Sequence, residues 1–493
     1  MTRRVARYLH RGEVVTLEGS SASMTLLDHL RLERKLFGTK EGCNEGDCGA
    51  CTVVLARVRN GKIVHQPVNS CILPAGQIDG AELITVEDLA VNGSLHPVQQ
   101  AMVDKHGSQC GFCTPGIVMS LFALFQEGER PVTRHAVNDQ LAGNLCRCTG
   151  YRPIIDAALE ACTGPATDTF VTNARERIKA IQALDNAEDI FIGDDSSFFA
   201  APATIDSLAA LFVQFPDATL IGGATDVGLW LTKKLQHLPR IIWLGRVAGL
   251  DHISQDTNGL ELGATVTLLA AHGILADLDT DLGEVIRRFG STQVRATATI
   301  GGNIANGSPI GDLAPCLIAL DADVMLQCSK DQRRMPLERF FVAYGKQDRR
   351  PGEFLRSVTI PALRAGQVFR AFKVSKRFDE DISAVLAAFR FDLTERKIVS
   401  TRFAFGGMAG TPKRATATEQ ALSGASLDDP ASWEAAIDAL GIDFQPLDDL
   451  RASSTYRLAT ARALLQKALF EVSGAPTAVT RIIGHRENPR VAP

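Results

Sequence analysis

Two stretches in which apolar and polar residues alternate open the chain. Val5–Leu9 and Val14–Leu17 flank His10-Arg11-Gly12 and read as a β-hairpin. Thr52–Val58 and Lys62–Pro67 read as a second hairpin across Arg59-Asn60-Gly61, where Asn-Gly is a strong turn signal. With one helix near Ser23–Leu32, residues 1–86 form a small β-rich domain. The spacing then turns helical. His96–His106 is one helix. Thr114-Pro115 starts the next, with Thr at the cap and Pro at the first position, and it runs through Phe125 to stop near Gly128. Thr133 caps Arg134–Leu141, which ends at Gly143, and Arg152–Ala161 follows. Residues 87–163 are therefore a helical domain. A Gly/Pro/Thr stretch, Thr163–Thr169, begins a linker assigned to 164–189. Residues 190–367 alternate strand and helix signals with Gly-rich turns. Residues 368–478 form a further α+β unit, with strands near Phe369–Val374 and Ile398–Gly406 and helices in Trp433–Leu440 and Arg457–Val472. Residues 479–493 are a tail.

A length of 493 residues suggests roughly three domains. A net charge of −4 points to neither nucleic acid nor a polybasic membrane surface. No apolar run reaches the ~18–20 residues of a membrane span. The longest, Ile117–Phe125, reads as a buried helix. Met1-Thr2-Arg3-Arg4-Val5-Ala6-Arg7 has no apolar signal-peptide core, and a cytoplasmic location is expected.

The cysteines carry the strongest chemical signal. Cys43, Cys48 and Cys51, with Cys71 further on, are spaced C-x4-C-x2-C plus a distant fourth, the plant-type [2Fe–2S] pattern. Cys110 and Cys113 (C-x2-C) pair with Cys146 and Cys148 (C-x-C). Disulfides fit poorly in a chain long enough to bury a large core. Zinc is the stronger rival, since paired C-x2-C units commonly hold it. In the first loop Gly42, Gly46 and Gly49 let backbone N–H groups approach bridging sulfides, which a lone ion does not require. The second group taken alone fits either metal. Cys162, Cys316 and Cys328 read as free thiols.

Two Gly-rich segments, Thr219–Val227 and Ala298–Asp312, follow apolar or β-branched runs. Such backbone can reach phosphate oxygens, although neither segment is G-x-G-x-x-G. The bland alternative is a pair of tight turns. Iron–sulfur centres in the same chain favour a flavin, which joins hydride chemistry to one-electron chemistry.

Taken together, Glu41–Cys51, Gln109–Gly116, Asn144–Arg152 and Thr299–Asp312 resemble the molybdenum hydroxylase family, and within it the iron–sulfur/FAD subunit of the bacterial xanthine dehydrogenase type. The resemblance reaches to about residue 478. It implies an α+β multidomain fold. The parts are a β-grasp [2Fe–2S] ferredoxin domain, a four-helix [2Fe–2S] domain, a vanillyl-alcohol-oxidase (PCMH-type) FAD domain and a C-terminal α+β domain like that of CO dehydrogenase flavoproteins. It implies two [2Fe–2S] clusters on the eight cysteines. It implies FAD contacts at Leu220, Ile221, Gly222, Gly223, Ala224, Thr225, Asp226 and Val227, and at Thr299, Ile300, Gly301, Gly302 and Asn303. Phe289, Asp312, Leu355 and Lys373 match further contacts, and Tyr344 matches a tyrosine on the nicotinamide side. Singly, Phe289, Leu355 and Tyr344 read as packing and Lys373 as a solvated charge. The resemblance further implies a large molybdopterin-binding partner subunit, an (αβ)2 heterotetramer, and NAD+ as acceptor in purine oxidation. No catalytic residue is assigned, because the flavin carries the hydride step. The alternatives are the same role in an aldehyde or heterocycle hydroxylase, a non-catalytic redox sensor or electron carrier, and a zinc-stabilised scaffold.

Overall fold

The computed structural model describes residues 2–18, 23–184, 187–476 and 480–481. Apart from Thr480 and Arg481, the tail assigned to 479–493 lies outside the described residues.

The first part is a five-stranded sheet in the order Glu13–Leu17, Ala6–His10, Glu82–Ile84, Thr52–Arg59, Lys62–Asn69. Both expected hairpins form. Arg11 and Gly12 have φ of 54° and 80°, and Asn60 and Gly61 have 49° and 76°, the left-handed pairs that a two-residue turn needs to match strand twist. The helix expected near Ser23–Leu32 is only one α turn, Leu26–Asp28, followed by a π turn, His29–Glu33. The wider turn carries His29, whose Nε2 meets Tyr8 Oη at 2.8 Å inside the core.

The extreme N-terminus does not stay with this part. Thr2 and Arg3 pair in parallel with Asp189 and Ile190 and become the edge of a sheet otherwise built from residues 189–243. Asp79 fixes that crossing. Its carboxylate accepts from Arg3 at 2.8 and 3.0 Å and from the Arg7 N–H at 2.7 Å, and it faces Arg246 Nε at 3.3 Å. Asp79 and Arg3 are buried. Asp79→Ala leaves buried guanidinium groups without their carboxylate, so a loss of about 3–5 kcal/mol is expected, read as a lower midpoint in chemical denaturation.

Helices Pro97–Asp104, Thr114–Glu127, Arg134–Leu141 and Arg152–Ala161 make the second part. The run from Gly116 to Phe125 is buried throughout. It shares one core with Leu9, Val54, Ala56 and Ile84 of the first sheet. The segment expected to be a linker is instead largely helical, with Thr169–Thr172 and Ala174–Leu184. Ile181 and Leu184 stand three apart on one face and enter that same core, so the segment is strapped to the first two parts.

Besides a small two-stranded sheet, Phe341–Ala343 with Lys346–Gln347, the third part holds two five-stranded sheets. One contains Asp189–Asp194, Ser197–Ala201, Arg240–Trp243 and Thr219–Ile221. The other is ordered Ile253–Asp256, Gly259–Gly263, Phe354–Pro361, Asp323–Cys328, Asp331–Pro336. The last part is the sheet Gln367–Val374, Val385–Thr394, Lys397–Gly406, Lys413–Arg414, covered by helices Glu434–Asp443 and Ser454–Ser473. Its central strand Val385–Thr394 and the helix Thr416–Leu422 had no clear signal in the pattern of the chain. The strand is buried on both faces over Val385–Phe389, so its alternation is lost.

Candidate functional site

Cys43, Cys48 and Cys51 lie in the loop between the π turn and strand Thr52–Arg59, and Cys71 lies in the short turn Ser70–Ile72. The fold brings them together in pairs. Cys51 Sγ stands 3.2 Å from Cys71 Sγ. Cys43 and Cys48 exchange backbone N–H contacts to each other's sulfur at 3.3 Å, and the N–H groups of Glu45 and Asp47 add to Cys43 Sγ at 3.4 Å. Donation from the Cys48 thiol, with those N–H groups, holds Cys43 down at about 5. The Cys48 thiol is correspondingly pushed up. The loop is tight: a Cβ on Gly42 would stand 2.7 Å from Cys48 Sγ, and Gly46 and Gly49 have φ of 75° and 69°.

The second group pairs across its two segments, Cys113 with Cys146 and Cys110 with Cys148. Cys113, rather than the expected Thr114, stands at the cap of the helix Thr114–Glu127, and burial pushes its thiol up to about 12. Tyr151, at φ 66°, turns back so that its Oη accepts the Cys146 N–H at 2.7 Å and donates to Asn144 O at 3.2 Å. Cys110 and Cys148 are exposed. Among the described residues no three Cys, His, Asp or Glu side chains converge on one ion position. A two-plus-two arrangement of thiols would suit a [2Fe–2S] group better than one tetrahedral ion. Loading either site would release thiol protons.

The two cysteine loops touch through backbone. The Leu145 N–H donates to Cys48 O at 3.0 Å, and Asn144 Nδ2 donates to Gly49 O at 3.1 Å. A Cβ on Gly49 would meet Gly143 O at 2.1 Å, so no side chain fits between the loops.

Beside the first cysteine loop lies a cavity of about 680 Å³, within the range of cofactor sites. Both Gly-rich segments line it: Leu220–Val227 from one side, and Thr299, Gly301, Gly302 and Asn303 from the other. Ile300 turns away into the core, fully buried. The glycines permit the two loops to meet. A Cβ on Gly223 would stand 1.7 Å from Thr297 O, one on Gly222 2.5 Å from Thr299 Oγ1, and one on Gly301 2.6 Å from the Ala264 Cβ. Gln77 Nε2 and Trp243 Nε1 draw the Gly222 carbonyl to themselves at 2.8 and 3.1 Å, and planarity turns the Gly223 N–H the opposite way. Asn303 Oδ1 lines the cavity, buried, with no hydrogen-bond donor among the described residues. A glycine cradle with an unpaired buried acceptor fits a dinucleotide carrying its own donors.

Phe289, Asp312, Leu355 and Lys373 also line the cavity. Lys373 is not a solvated charge. Its Nζ donates to Asp312 Oδ2 at 2.6 Å with both side chains buried, while the Ser383 hydroxyl donates to Asp312 Oδ1 at 2.5 Å. Tyr344 is the residue the fold does not bring in. It sits on the small hairpin after Phe340, 77% exposed, and is not part of the cavity wall. Sequence reasoning passed over Glu45, Asp47 and Ile72 and read Gly46 only as a cysteine-loop glycine; all four line one end of the cavity. Glu380, Asp381 and Ile382 form another wall. The helix after the first Gly loop, Val227–Thr232, packs directly on the Cys71 turn, and a Cβ on Gly228 would stand 2.2 Å from Ile72 O. No local motif could have flagged this contact, because it joins positions far apart in sequence.

Burial and the neighbouring Asp47 carboxylate raise Glu380 to about 8, partly offset by the Ser291 hydroxyl. A raised carboxyl favours the folded state while protonated. That contribution is full below the unfolded value, near 4.5, and is lost as pH rises towards 8. Glu380→Gln is therefore expected to gain stability relative to the parent protein as pH increases from 5 to 8, with little difference at 5. Melting temperatures of both proteins across that range check it.

Three family models match: "[2Fe-2S] binding domain" over residues 85–159, "FAD binding domain in molybdopterin dehydrogenase" over 195–363, and "CO dehydrogenase flavoprotein C-terminal domain" over 370–472. Among curated proteins, a xanthine dehydrogenase of Emericella nidulans is 33% identical over 504 residues, covering 89% of this chain and 36% of that protein. The xanthine dehydrogenase/oxidase of Mus musculus is 33% identical over 451 residues, covering 81% and 34%. The chain thus spans about a third of the length of these relatives. Among solved structures, carbon monoxide dehydrogenase from Hydrogenophaga pseudoflava superposes with a TM-score of 0.52 at 25% identity, over 55% of this chain and 94% of that one. Among the described residues no helix is long and apolar enough to cross a membrane.

Proposed function

This chain belongs to the molybdenum hydroxylase family, homologous to the N-terminal region of xanthine dehydrogenases, and from that premise we propose that it is the electron-transfer part of a xanthine dehydrogenase. In this reading it works with a molybdopterin-binding partner subunit, in an (αβ)2 assembly, in the cytoplasm. It takes electrons from purine oxidation in the partner and delivers them to NAD+. Cys110, Cys113, Cys146 and Cys148 would hold one [2Fe–2S] cluster, and Cys43, Cys48, Cys51 and Cys71 the other. Leu220–Val227, Thr299–Asn303, Phe289, Asp312, Leu355 and Lys373 would hold FAD. Clusters exchange single electrons and a flavin exchanges one or two, which is the chemistry these groups supply when bound.

The observation that carries the reading is the common wall. One cavity is lined by both Gly loops and by Glu45, Gly46 and Asp47, which sit between the ligand cysteines Cys43 and Cys48. A flavin and a cluster bound at these places would be neighbours. The chain's own residues then fix the distance, through the packing of Val227–Thr232 on the Cys71 turn and the Gln77 contact to the Gly222 carbonyl. Lys373 and Asp312 place a pre-paired charge at the cavity, with the Ser383 hydroxyl behind it on Asp312, so no unpaired ion is buried when water leaves. The exposed Cys110 and Cys148 put the second cysteine group within reach of a partner. The N–H groups on Cys43 Sγ stabilise thiolate, which tunes potential.

The test is anaerobic isolation of the chain with iron, acid-labile sulfide and flavin analysis, followed by reduction with NADH. Iron and sulfide for two clusters, one FAD per chain and bleaching by NADH support the reading. A colourless, iron-free protein, or a flavin that NADH leaves oxidised, contradicts it.

A further inference from the structure

We propose that Gln293 is the positioning residue that sets the spacing of the three redox sites, an inference that rests on the function proposed above. Gln293 belongs to the helix Thr292–Thr297 and is 1% exposed. Its Nε2 faces three oxygens: Asn144 Oδ1 at 2.9 Å, Ser120 Oγ at 3.0 Å and Thr52 Oγ1 at 3.3 Å. Those three residues belong to the two cysteine-bearing parts, and all are buried. Thr52 follows Cys51 directly, and Asn144 stands two residues before Cys146. From the same helix, the Thr297 carbonyl abuts Gly223 of the first Gly loop, and Thr299 of the second follows two residues on. One side chain therefore ties both cysteine loops to the element that leads into the flavin cradle.

The orientation of the amides follows from what each partner is able to do. Gly49 O only accepts, so Asn144 must present Nδ2 to it, at 3.1 Å. That leaves Asn144 Oδ1 facing Gln293 and the Ser120 hydroxyl, which donates to it at 2.6 Å. Gln293 must then present its NH2 group, since an oxygen there would face another oxygen. The Thr52 hydroxyl is committed to Gly49 O at 2.7 Å, so it too accepts from Gln293. The knot has one sense, and a carboxylate of the same shape has the wrong sign. It also has no slack: a Cβ on Gly143 would stand 2.6 Å from Gln293 Oε1. Next to the knot runs the backbone contact from the Leu145 N–H to Cys48 O, at 3.0 Å.

The test uses the full chain carrying its clusters and flavin, with Gln293→Leu, Gln293→Glu and, as a control, Gln140→Leu. Gln140 also anchors Ser120, through its carbonyl at 2.8 Å, but stays within the helical part. Two readouts report position rather than turnover. One is the magnetic splitting between the two reduced clusters in low-temperature EPR. The other is hydrogen exchange of the Leu145 amide, which needs no cofactor and so decides the matter even for a variant that loses its clusters. Both Gln293 variants are expected to exchange the Leu145 amide about tenfold faster and, where loaded, to change the splitting and slow electron equilibration between the centres about ten- to hundredfold. Gln140→Leu is expected to lower the melting temperature while leaving splitting and Leu145 exchange as in the parent. Parent-like splitting and exchange in Gln293→Leu, or equal changes in Gln140→Leu, overturn the proposal while the functional reading stands. A parent protein without two interacting clusters overturns the functional reading and the proposal with it.

Discussion

Replacing Gly223 with valine is expected to abolish FAD binding while leaving iron in place. The cause is backbone against backbone. The first added carbon would stand 1.7 Å from Thr297 O and 2.2 Å from the Thr297 carbonyl carbon, with Ala298 N at 2.8 Å. No flexible side chain is available to move aside. Relief requires the helix Thr292–Thr297 to shift, and that helix is pinned at its other end by Gln293 and by the Thr292 hydroxyl on Asp139 O at 3.1 Å. The loops must then part. Steric strain of this kind belongs to the class that costs more than about 4 kcal/mol, corresponding to a loss of flavin affinity of roughly a thousandfold. Flavin fluorescence released on denaturation, compared with iron per chain, measures it. Gly273→Ala is the matched control. Nothing lies within 4 Å of its added carbon, it sits inside the helix Leu268–Leu278, and a gain of about 0.5–1 kcal/mol is expected there. Flavin retained in Gly223→Val at the parent level would mean that the two Gly loops do not form the cradle.

The second large effect is on the first cysteine group. On the proposed function, Cys43→Ser is expected to remove one cluster, leave FAD bound and abolish NAD+ reduction. Cys43 receives three backbone N–H contacts and is the thiol held lowest of its pair, so it is the sulfur best prepared to serve as thiolate. A serine hydroxyl ionises far higher and is a harder ligand, poorly suited to iron–sulfur chemistry. Iron per chain should fall by about half, and the EPR signal of one cluster should vanish. The flavin cradle shares only its far wall with this loop, so flavin content should hold. Cys328→Ser, a half-buried thiol away from both groups, should leave iron unchanged. NAD+-coupled turnover at the parent rate in Cys43→Ser would contradict an electron path through this site.

The covalent spacing of the cysteines and the two Gly-rich segments needed no fold to be read. The C-x4-C-x2-C loop carries its own glycines because sulfur and backbone must approach closely. The Asn60-Gly61 turn and the Thr133 cap likewise follow from local chemistry, and they form where expected. Local signals failed where the reason was distant. Residues 164–189 read as a linker because they open on a Gly/Pro/Thr stretch, yet Ile181 and Leu184 find a core offered by another part of the chain. Lys373 read as a solvated charge because nothing nearby in sequence pairs with it; its partner, Asp312, is 61 positions away. Tyr344 aligned with a flavin-side residue by segment matching, but the small hairpin carries it out to solvent.

The sequence by itself settled which atoms can bind iron and where backbone is bare enough to meet a phosphate, because those properties belong to residue types and short spacings. Only the tertiary structure decided that Thr2 and Arg3 join a sheet begun 187 positions later, that Ile72 touches the helix after the first Gly loop, and that Gln293 reaches both cysteine loops. Those outcomes depend on side chains and carbonyls meeting across long loops. The free energy that selects them comes from burying apolar surface and pairing most of the polar groups enclosed with it, which no stretch of chain can do alone.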